Sequence, residues 1–197
     1  MIFADCFDAY DFLKTGHFRS KISETNAGFL LRLIKRFDYL DMPSDHCDAG
    51  PRMRADLASC PAATRALNQL CDTVLREDLS SLGEHYRASL QDRVITPLRL
   101  GPGYSLDWHN HLGAKCTATA LIYLFDEADP GEGGDLVLGE VERDMETVRE
   151  TDRFKIAHGY AIVIGDASHP LMMHKAEPWT GRGHRYLISL AFNANDW

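Results

Sequence analysis

The sequence predicts an α+β protein in which N-terminal helices support a jelly roll of β-strands. Up to residue 92, apolar residues recur at helical spacing, whereas from Arg93 onward short β-branched and aromatic runs alternate with Gly, Pro and Asp. Several short strands at this spacing favour a sandwich or barrel over a parallel α/β sheet. We therefore expect one domain over residues 1–197, with a helical support region at 1–92 and a jelly-roll core at 93–197.

Two helices are predicted in the first half. The first covers residues 25–37, where apolar side chains recur at three- and four-residue steps: Phe29, Leu30, Leu33, Ile34 and Phe37. The second covers about residues 61–76 and begins at Pro61, since proline is well accommodated at the first helical position. Its apolar stripe is Ala63, Ala66, Leu67, Leu70 and Val74. The stretch DMPSDHCDAGPR between the two helices is rich in turn formers and predicts a loop.

The second half contains six predicted strands, namely VITPLRL, CTATALIYLF, DLVLG, RFKIA, YAIVIG and RYLISLAF. The charged stretch from Gly139 to Asp152, which includes Arg143 and Arg149, fits either a lid over a site or a solvated hairpin.

Composition excludes several classes of partner. The net charge of −8 leaves little basic surface for a phosphate backbone, so nucleic acid is not expected as the primary partner. No apolar run approaches the roughly 20 residues of a spanning helix, so no membrane segment is expected. The first residues carry Asp5, Asp8 and Asp11 and no basic leader, which argues against a secretory signal. Five cysteines without a C-x-x-C pair fit a reducing cytoplasm better than a disulfide framework.

Histidines of the second half supply a candidate metal site. His109 and His111 are two residues apart, and on a strand such residues point to the same face, so both imidazoles can approach one ion. A third ligand from a distant strand would leave open positions at the metal, which oxygen-activating iron requires. His158, His169 and His184 have no partner at metal-ligand spacing and are predicted not to be ligands.

Four stretches, in this order along the chain, resemble the 2-oxoglutarate/Fe(II) dioxygenases of the prolyl-4-hydroxylase type. Residues 99–109, RLGPGYSLDWH, are similar to that family's strand entering the metal site, with Leu106 at the position of its second tyrosine. LIYLF at 121–125 followed by GGDL at 133–136 is similar to the family's YLN and GGEL stretches. AHGYAIVI at 157–164 and the segment from His174 to Tyr186 resemble its last two motifs.

This resemblance implies a double-stranded β-helix that binds Fe(II) and 2-oxoglutarate. It makes His109 and His174 iron ligands and assigns Arg185 to the C5 carboxylate of 2-oxoglutarate, for which a planar fork of donors is suited. Tyr123 or Tyr104 would add a hydroxyl to that carboxylate or to the substrate. The implied reaction is C–H oxidation, by hydroxylation, desaturation or cyclisation, of a small molecule or amino-acid derivative. Two glycines, Gly133 and Gly134, would form a tight connection between strands.

The sequence departs from the family where its carboxylate ligand should stand, since His111 occupies that position. A three-histidine site formed by His109, His111 and His174 is one explanation. A second aligns His111-Leu112-Gly113 with the H-x-G of iron halogenases. A third takes Gly103 and the H-x-H as the start of a cupin motif, as in three-histidine thiol dioxygenases, with Cys116 near their crosslinked cysteine. A zinc or nickel site and a non-catalytic jelly-roll binding protein also remain.

Several properties are left open by the sequence. Trp108 and Trp179 flank the predicted ligands and fit either a pocket wall or the core. The identity of the substrate, the oligomeric state (with a homodimer among the options) and the pathway do not follow from the residues.

Overall fold

A computed structural model of the chain describes residues 2–43, 47–80, 88–110, 116–126, 132–165 and 172–194. These residues include three α-helices: α1 (Ala9–Thr15), α2 (Glu24–Ile34) and α3 (Pro61–Thr73), which continues into a π-helical turn at Val74–Asp78. The two longer helices are those the sequence predicts. Helix α2 ends three residues earlier than predicted, and Pro61 does lie in the first turn of α3. No described helix has the length and apolarity needed to cross a membrane.

The described part of the chain contains twelve strands. In chain order they are β1 (His17–Lys21), β2 (Asp38–Asp41), β3 (Asp48–Ala49), β4 (Arg52–Asp56), β5 (Ala88–Leu100), β6 (Ser105–His109), β7 (Cys116–Phe125), β8 (Leu136–Val141), β9 (Val148–Phe154), β10 (Tyr160–Ile164), β11 (Met172–Ala176) and β12 (Arg185–Ala194).

These strands form two antiparallel sheets. The larger sheet has the order β1-β10-β7-β12-β5-β4-β2, and the smaller has the order β3-β6-β11-β8-β9. Two antiparallel sheets with these strand orders, and helices packed against the larger one, confirm the predicted double-stranded β-helix with N-terminal helical support. The first half, however, is not only helical, because it also supplies β1 to β4.

Side chains of the larger sheet alternate between two cores, as successive residues of a strand point to opposite faces. On β7, Ala120, Ile122 and Leu124 pack toward the helices. Leu121, Tyr123 and Phe125 of the same strand face the space between the sheets. This inner face is where the candidate site lies.

Candidate active site

A cavity of about 300 Å³ lies between the two sheets and gathers residues from both. On the larger sheet, Arg185 pairs across the strands with Leu100 and Phe125, and Leu187 pairs with Leu98 and Tyr123. On the smaller sheet, His109 of β6 and His174 of β11 line the cavity. Five predicted site residues therefore share one cavity: Tyr104, His109, Tyr123, His174 and Arg185.

His109 and His174 face each other on neighbouring strands. They are direct partners in the pairing of β6 with β11, and their ring centroids lie 4.0 Å apart. Histidine nitrogens bind metals at about 2.0–2.1 Å, so two rings this close can share one ion. His174 is buried, at 4% exposure, while His109 is half-buried at the end of its strand.

The tautomer of His109 is fixed by its backbone contact. Its Nδ1 lies 2.9 Å from the carbonyl oxygen of Asp107, which can only accept, so Nδ1 carries the proton and donates. Nε2 is then left with a lone pair for a metal. A metal-ligating histidine commonly donates its other nitrogen to a carbonyl or carboxylate in this way.

The third predicted ligand, His111, lies outside the described residues, as does His169. Among the described residues, no group of three His, Cys, Asp or Glu side chains is placed to hold a metal. Asp107, which shares a face of β6 with His109, is exposed and lines a neighbouring surface depression. Its Oδ1 accepts from the backbone N–H of Trp108 at 2.8 Å.

Arg185 is buried in the cavity wall, at 5% exposure, and is not the surface residue that an arginine usually is. Its Nη1 donates to the carbonyl of Gly134 at 3.1 Å and its Nη2 donates to the carbonyl of Gly133 at 3.0 Å. Its Nε is buried without a hydrogen-bond partner in the described part of the chain. Burial lowers the pKa of Arg185 to about 10, against the opposing effect of Tyr123 and Asp135, so the guanidinium is charged at neutral pH.

Gly133 and Gly134 make room for this guanidinium. Both have positive φ, 76° and 70°, and a Cβ on Gly134 would stand 1.9 Å from Nη1 of Arg185. A Cβ on Gly133 would stand 2.2 Å from the carbonyl oxygen of Pro178. The two glycines therefore do more than connect strands, because their carbonyls bind Arg185 and their missing side chains leave space for it.

The two candidate tyrosines line the same cavity and differ in the arginine that acts on each of them. Burial and the neighbouring Tyr104 raise the pKa of Tyr123, and the charge of Arg185 opposes that rise. Tyr123 pairs with Leu187, which lies two residues from Arg185 on the same face of β12. Burial also raises the pKa of Tyr104, but there the opposing charge is Arg52. Both phenols therefore stay protonated at neutral pH and can donate a hydrogen bond. Tyr123 is the better placed of the two for an anion at Arg185.

Arg52 is a second guanidinium in the cavity wall, which the sequence analysis missed. It pairs with Leu100 across β4 and β5, and Leu100 also pairs with Arg185, so the two arginines stand in one cross-strand row. Nη1 of Arg52 lies 2.5 Å from Oδ2 of Asp48, whose carboxylate neutralises it. For Arg185, the structure shows no ion pair with a described residue. An anion entering the cavity therefore meets, at Arg185, a guanidinium that has no direct ion pair with a described residue, although Asp135 acts on it from a distance.

Other residues of interest are placed as follows. Trp179 lines the cavity, whereas Trp108 packs near Lys175, whose Nζ is 5.0 Å from its ring. His158 and His184 are exposed, and Nδ1 of His158 accepts from the backbone N–H of Phe125. The charged stretch from Gly139 to Asp152 forms the ends of β8 and β9 and the exposed turn between them.

Cys47 also lines the cavity and, like Arg52, falls in the stretch predicted to be a loop. Local pattern is weak at both residues, because β3 has only two residues and the alternation of β4 covers only five. The pairing of β3 with β6 and of β4 with β5 brings them to the site, and such pairing is not visible in a local pattern.

Several solved structures superpose on this chain. An oxidoreductase of the 2OG-Fe(II) oxygenase family from Burkholderia pseudomallei does so with a TM-score of 0.69 at 13% identity, over 98% of this chain and 94% of that one. The chain has the fold of the 2OG-Fe(II) oxygenases. A prolyl-4-hydroxylase from Pseudomonas putida matches with a TM-score of 0.63 at 16% identity, over 94% of this chain and 97% of that one.

A third oxygenase-fold neighbour, HygX from Streptomyces hygroscopicus, was solved with nickel, 2-oxoglutarate and hygromycin B bound. It matches with a TM-score of 0.62 at 16% identity, over 95% of this chain and 86% of that one. No protein-family model and no curated protein matches the sequence. The family resemblance in the sequence is thus confirmed at the level of the fold.

Proposed function

We propose that this protein is a non-haem Fe(II)- and 2-oxoglutarate-dependent oxygenase that oxidises a C–H bond of a small molecule or amino-acid derivative. One observation carries the proposal: facing imidazoles and a buried guanidinium with no carboxylate partner among the described residues line the same cavity. The two imidazoles suit a metal ion, and the guanidinium suits an organic anion beside that metal.

The donor set fits ferrous iron. Nε2 of His109 and a ring nitrogen of His174 would bind the metal, and His111 completes the proposed set on the strength of its sequence position alone. Three neutral imidazoles leave the centre one unit more positive than two imidazoles and a carboxylate, which favours anionic ligands. Bound iron, together with 2-oxoglutarate and oxygen, would supply the oxidant for the C–H bond while 2-oxoglutarate is converted to succinate and carbon dioxide.

The cavity residues would bind and orient 2-oxoglutarate. Arg185 would take the C5 carboxylate with the N–H groups that the two glycine carbonyls do not use, and Tyr123 would donate its phenolic hydrogen to the same carboxylate. Leucines that line the cavity would exclude water from the reacting centre: Leu98, Leu100, Leu106, Leu121, Leu136 and Leu187.

The size of the cavity supports a small substrate. Ligand sites of proteins commonly enclose about 300–1,000 Å³, and this cavity, at about 300 Å³, lies at the lower limit. With 2-oxoglutarate in place, the remaining space admits only a small molecule or one end of a larger one. A neighbour of the same fold was solved with hygromycin B, which is also a small molecule.

The activity is tested by incubating the ferrous protein with 2-oxoglutarate and oxygen and measuring succinate. We expect succinate to form slowly even without a substrate, and to require Fe(II). His174→Ala should lose bound iron, whereas Arg185→Ala should keep its iron and need about a hundredfold more 2-oxoglutarate, since it loses charge-assisted hydrogen bonds worth about 1.5–3 kcal/mol each. The matched control is Arg182→Ala, because Arg182 is exposed and lies between β11 and β12, three residues before Arg185.

An anaerobic spectrum separates this proposal from the thiol dioxygenase alternative. The ferrous protein should develop a weak visible metal-to-ligand band when 2-oxoglutarate is added. Oxygen uptake with cysteine, without such a band and without succinate, would favour the cupin alternative, which assigns no role to the buried Arg185.

The three-histidine proposal has its own test in His111→Asp. If imidazole is part of the chemistry, the variant should bind iron with normal stoichiometry and lose succinate formation. Iron binding with increased activity would mean that the protein has no need of the third histidine, and unchanged iron affinity in His111→Ala would remove this residue from the metal site.

A further inference from the structure

Trp179 lines the cavity beside Arg185, and neither the metal nor an anion at Arg185 explains its role. It is 2% exposed, and its ring centroid lies 4.9 Å from Cζ of Arg185. The ring of Phe125 lies 4.8 Å from the same atom. Both distances are within the range of about 6 Å at which an aromatic ring attracts a cation.

The backbone of Trp179 is held from both sides. Its N–H donates to the carbonyl of Tyr104 at 3.2 Å, and its carbonyl accepts from the N–H of Gly103 at 2.6 Å. The residues beside it bind the glycine connection: the carbonyl of Pro178 accepts from the N–H of Gly134 at 3.0 Å, and the N–H of Thr180 donates to Glu132 at 3.0 Å. The backbone of Trp179 is therefore fixed relative to the two carbonyls that bind Arg185, and burial restricts the indole.

These contacts restrict the guanidinium of Arg185. A long arginine side chain ordinarily samples many rotamers, and a ligand that needs one of them must offset the lost entropy. Here two carbonyls and two rings leave little freedom to the group before any ligand arrives. The remaining N–H groups are thereby set in advance for an anion.

We propose that Trp179 is a positioning residue that holds the Arg185 guanidinium for the distal carboxylate of a 2-oxo dicarboxylate. The inference rests on the proposed function, because it takes 2-oxoglutarate as the ligand. It assigns to Trp179 an effect on one end of that ligand only. The 2-oxo acid end, which would bind the metal, does not depend on the indole.

A comparison of two ligands distinguishes binding at the 2-oxo acid end from binding at the distal carboxylate. 2-Oxopentanoate has the same 2-oxo acid and the same carbon chain as 2-oxoglutarate, with a methyl group in place of the distal carboxylate. Their affinities for the nickel-loaded protein, in which no turnover occurs, are measured by titration calorimetry. The native protein should bind 2-oxoglutarate more tightly than 2-oxopentanoate, by about a hundredfold or more for a charge-assisted carboxylate contact.

Trp179→Leu should weaken the binding of 2-oxoglutarate about ten- to thirtyfold, the range expected for loss of a desolvated cation–π contact, and leave 2-oxopentanoate unchanged. Trp179→Phe keeps a ring and should stay within about threefold of the native affinity. Trp108→Leu, which removes an indole that packs near Lys175, should keep the native preference. Nickel content and melting temperature are recorded for each variant.

The outcomes are distinct. Equal weakening of both ligands in Trp179→Leu would mean a general loss of structure and would overturn the positioning role, as would an unchanged preference for 2-oxoglutarate. In either case the proposed function stands, because the native protein still discriminates. A native protein that does not distinguish the two ligands overturns the proposed function and this inference with it.

Discussion

At the scale of single residues, Gly134 shows how the backbone makes room for the guanidinium of the site. Its φ of 70° suits glycine, and its missing Cβ leaves space that Nη1 of Arg185 occupies. Gly103 offers a matched comparison, since its φ is 83° but a Cβ there would meet nothing within 4 Å. An alanine at Gly103 should therefore cause backbone strain alone, whereas an alanine at Gly134 should cause both strain and a steric conflict with the guanidinium.

We expect Gly134→Ala to weaken 2-oxoglutarate binding at least about tenfold, because Arg185 must leave its position, a shift that would break at least one charge-assisted hydrogen bond. The substitution should also destabilise the protein by more than the roughly 1–2 kcal/mol of a left-handed alanine. Calorimetry and urea unfolding measure the two effects. Gly103→Ala should show only the strain, and equal ligand affinities in the two variants would contradict the steric argument.

The resemblance in ordered motifs predicted that His109, His174 and Arg185 lie together, and the three residues do line one cavity. The resemblance could not choose between Tyr104 and Tyr123, since that choice depends on which arginine each phenol approaches. Trp179 was equally compatible with the core and with a pocket wall. Its contact with Arg185 depends on the pairing of distant segments, which the residue type does not encode.

At the scale of elements, the strands rich in β-branched and aromatic residues were predicted and the more polar strands were not. β7, β10 and β12 carry β-branched and aromatic residues on both faces because both faces are covered. β1 and β11 have the sequences HFRSK and MMHKA, which carry no clear alternation, and β4, RMRAD, alternates over only five residues beside a stretch of turn formers. They are strands because neighbours supply hydrogen bonds to them, and that information is not local.

The π-helical turn after α3 also escaped prediction, and it has a specific contact. Asp78 is buried, and its carboxylate accepts from the backbone N–H groups of Ile2 at 2.9 Å and Phe3 at 3.0 Å. The ring of Phe3 in turn packs near that of Phe18, with centroids 6.1 Å apart. The turn thus holds the N-terminal segment against the helical side of the larger sheet.

Asp78→Ala should lower the free energy of unfolding by about 2–4 kcal/mol, because two backbone N–H groups lose a charged acceptor. Urea unfolding followed by circular dichroism measures the change. Asp11→Ala, at an exposed position of α1, should change it by less than about 0.5 kcal/mol. Equal midpoints for the two variants would mean that Asp78 does not anchor the segment.

At the scale of the whole molecule, the sequence changes near residue 92 from apolar residues at helical spacing to strand-like runs. The two sheets do not divide there, because both contain strands from each half. Strand β1 pairs with β10, β4 pairs with β5, and β3 pairs with β6. The fold class was predictable because the second half supplies most of the strands. The contribution of the first half to the cavity, through Cys47 and Arg52, was not, because it arises from those long-range pairings.

A fragment of residues 93–197 should therefore not form a soluble protein by itself. Without β1 and β4 it would expose the edges of β10 and β5, and exposed strand edges associate with one another. We expect the fragment to be found in aggregates, and residues 1–92 supplied as a separate chain to increase the soluble fraction. Sedimentation measures both, and a monomeric fragment that binds metal would contradict this expectation.

The pairing of β1 with β10 also bears on how the chain folds as the ribosome makes it. His17 lies opposite Ile164, so the first strand must wait for more than 140 further residues before its neighbour is synthesised. Native contacts this distant in sequence form slowly. Most of the larger sheet can therefore assemble only after β10 and β12 have been synthesised, and until then the unpaired β1 would be a substrate for chaperones.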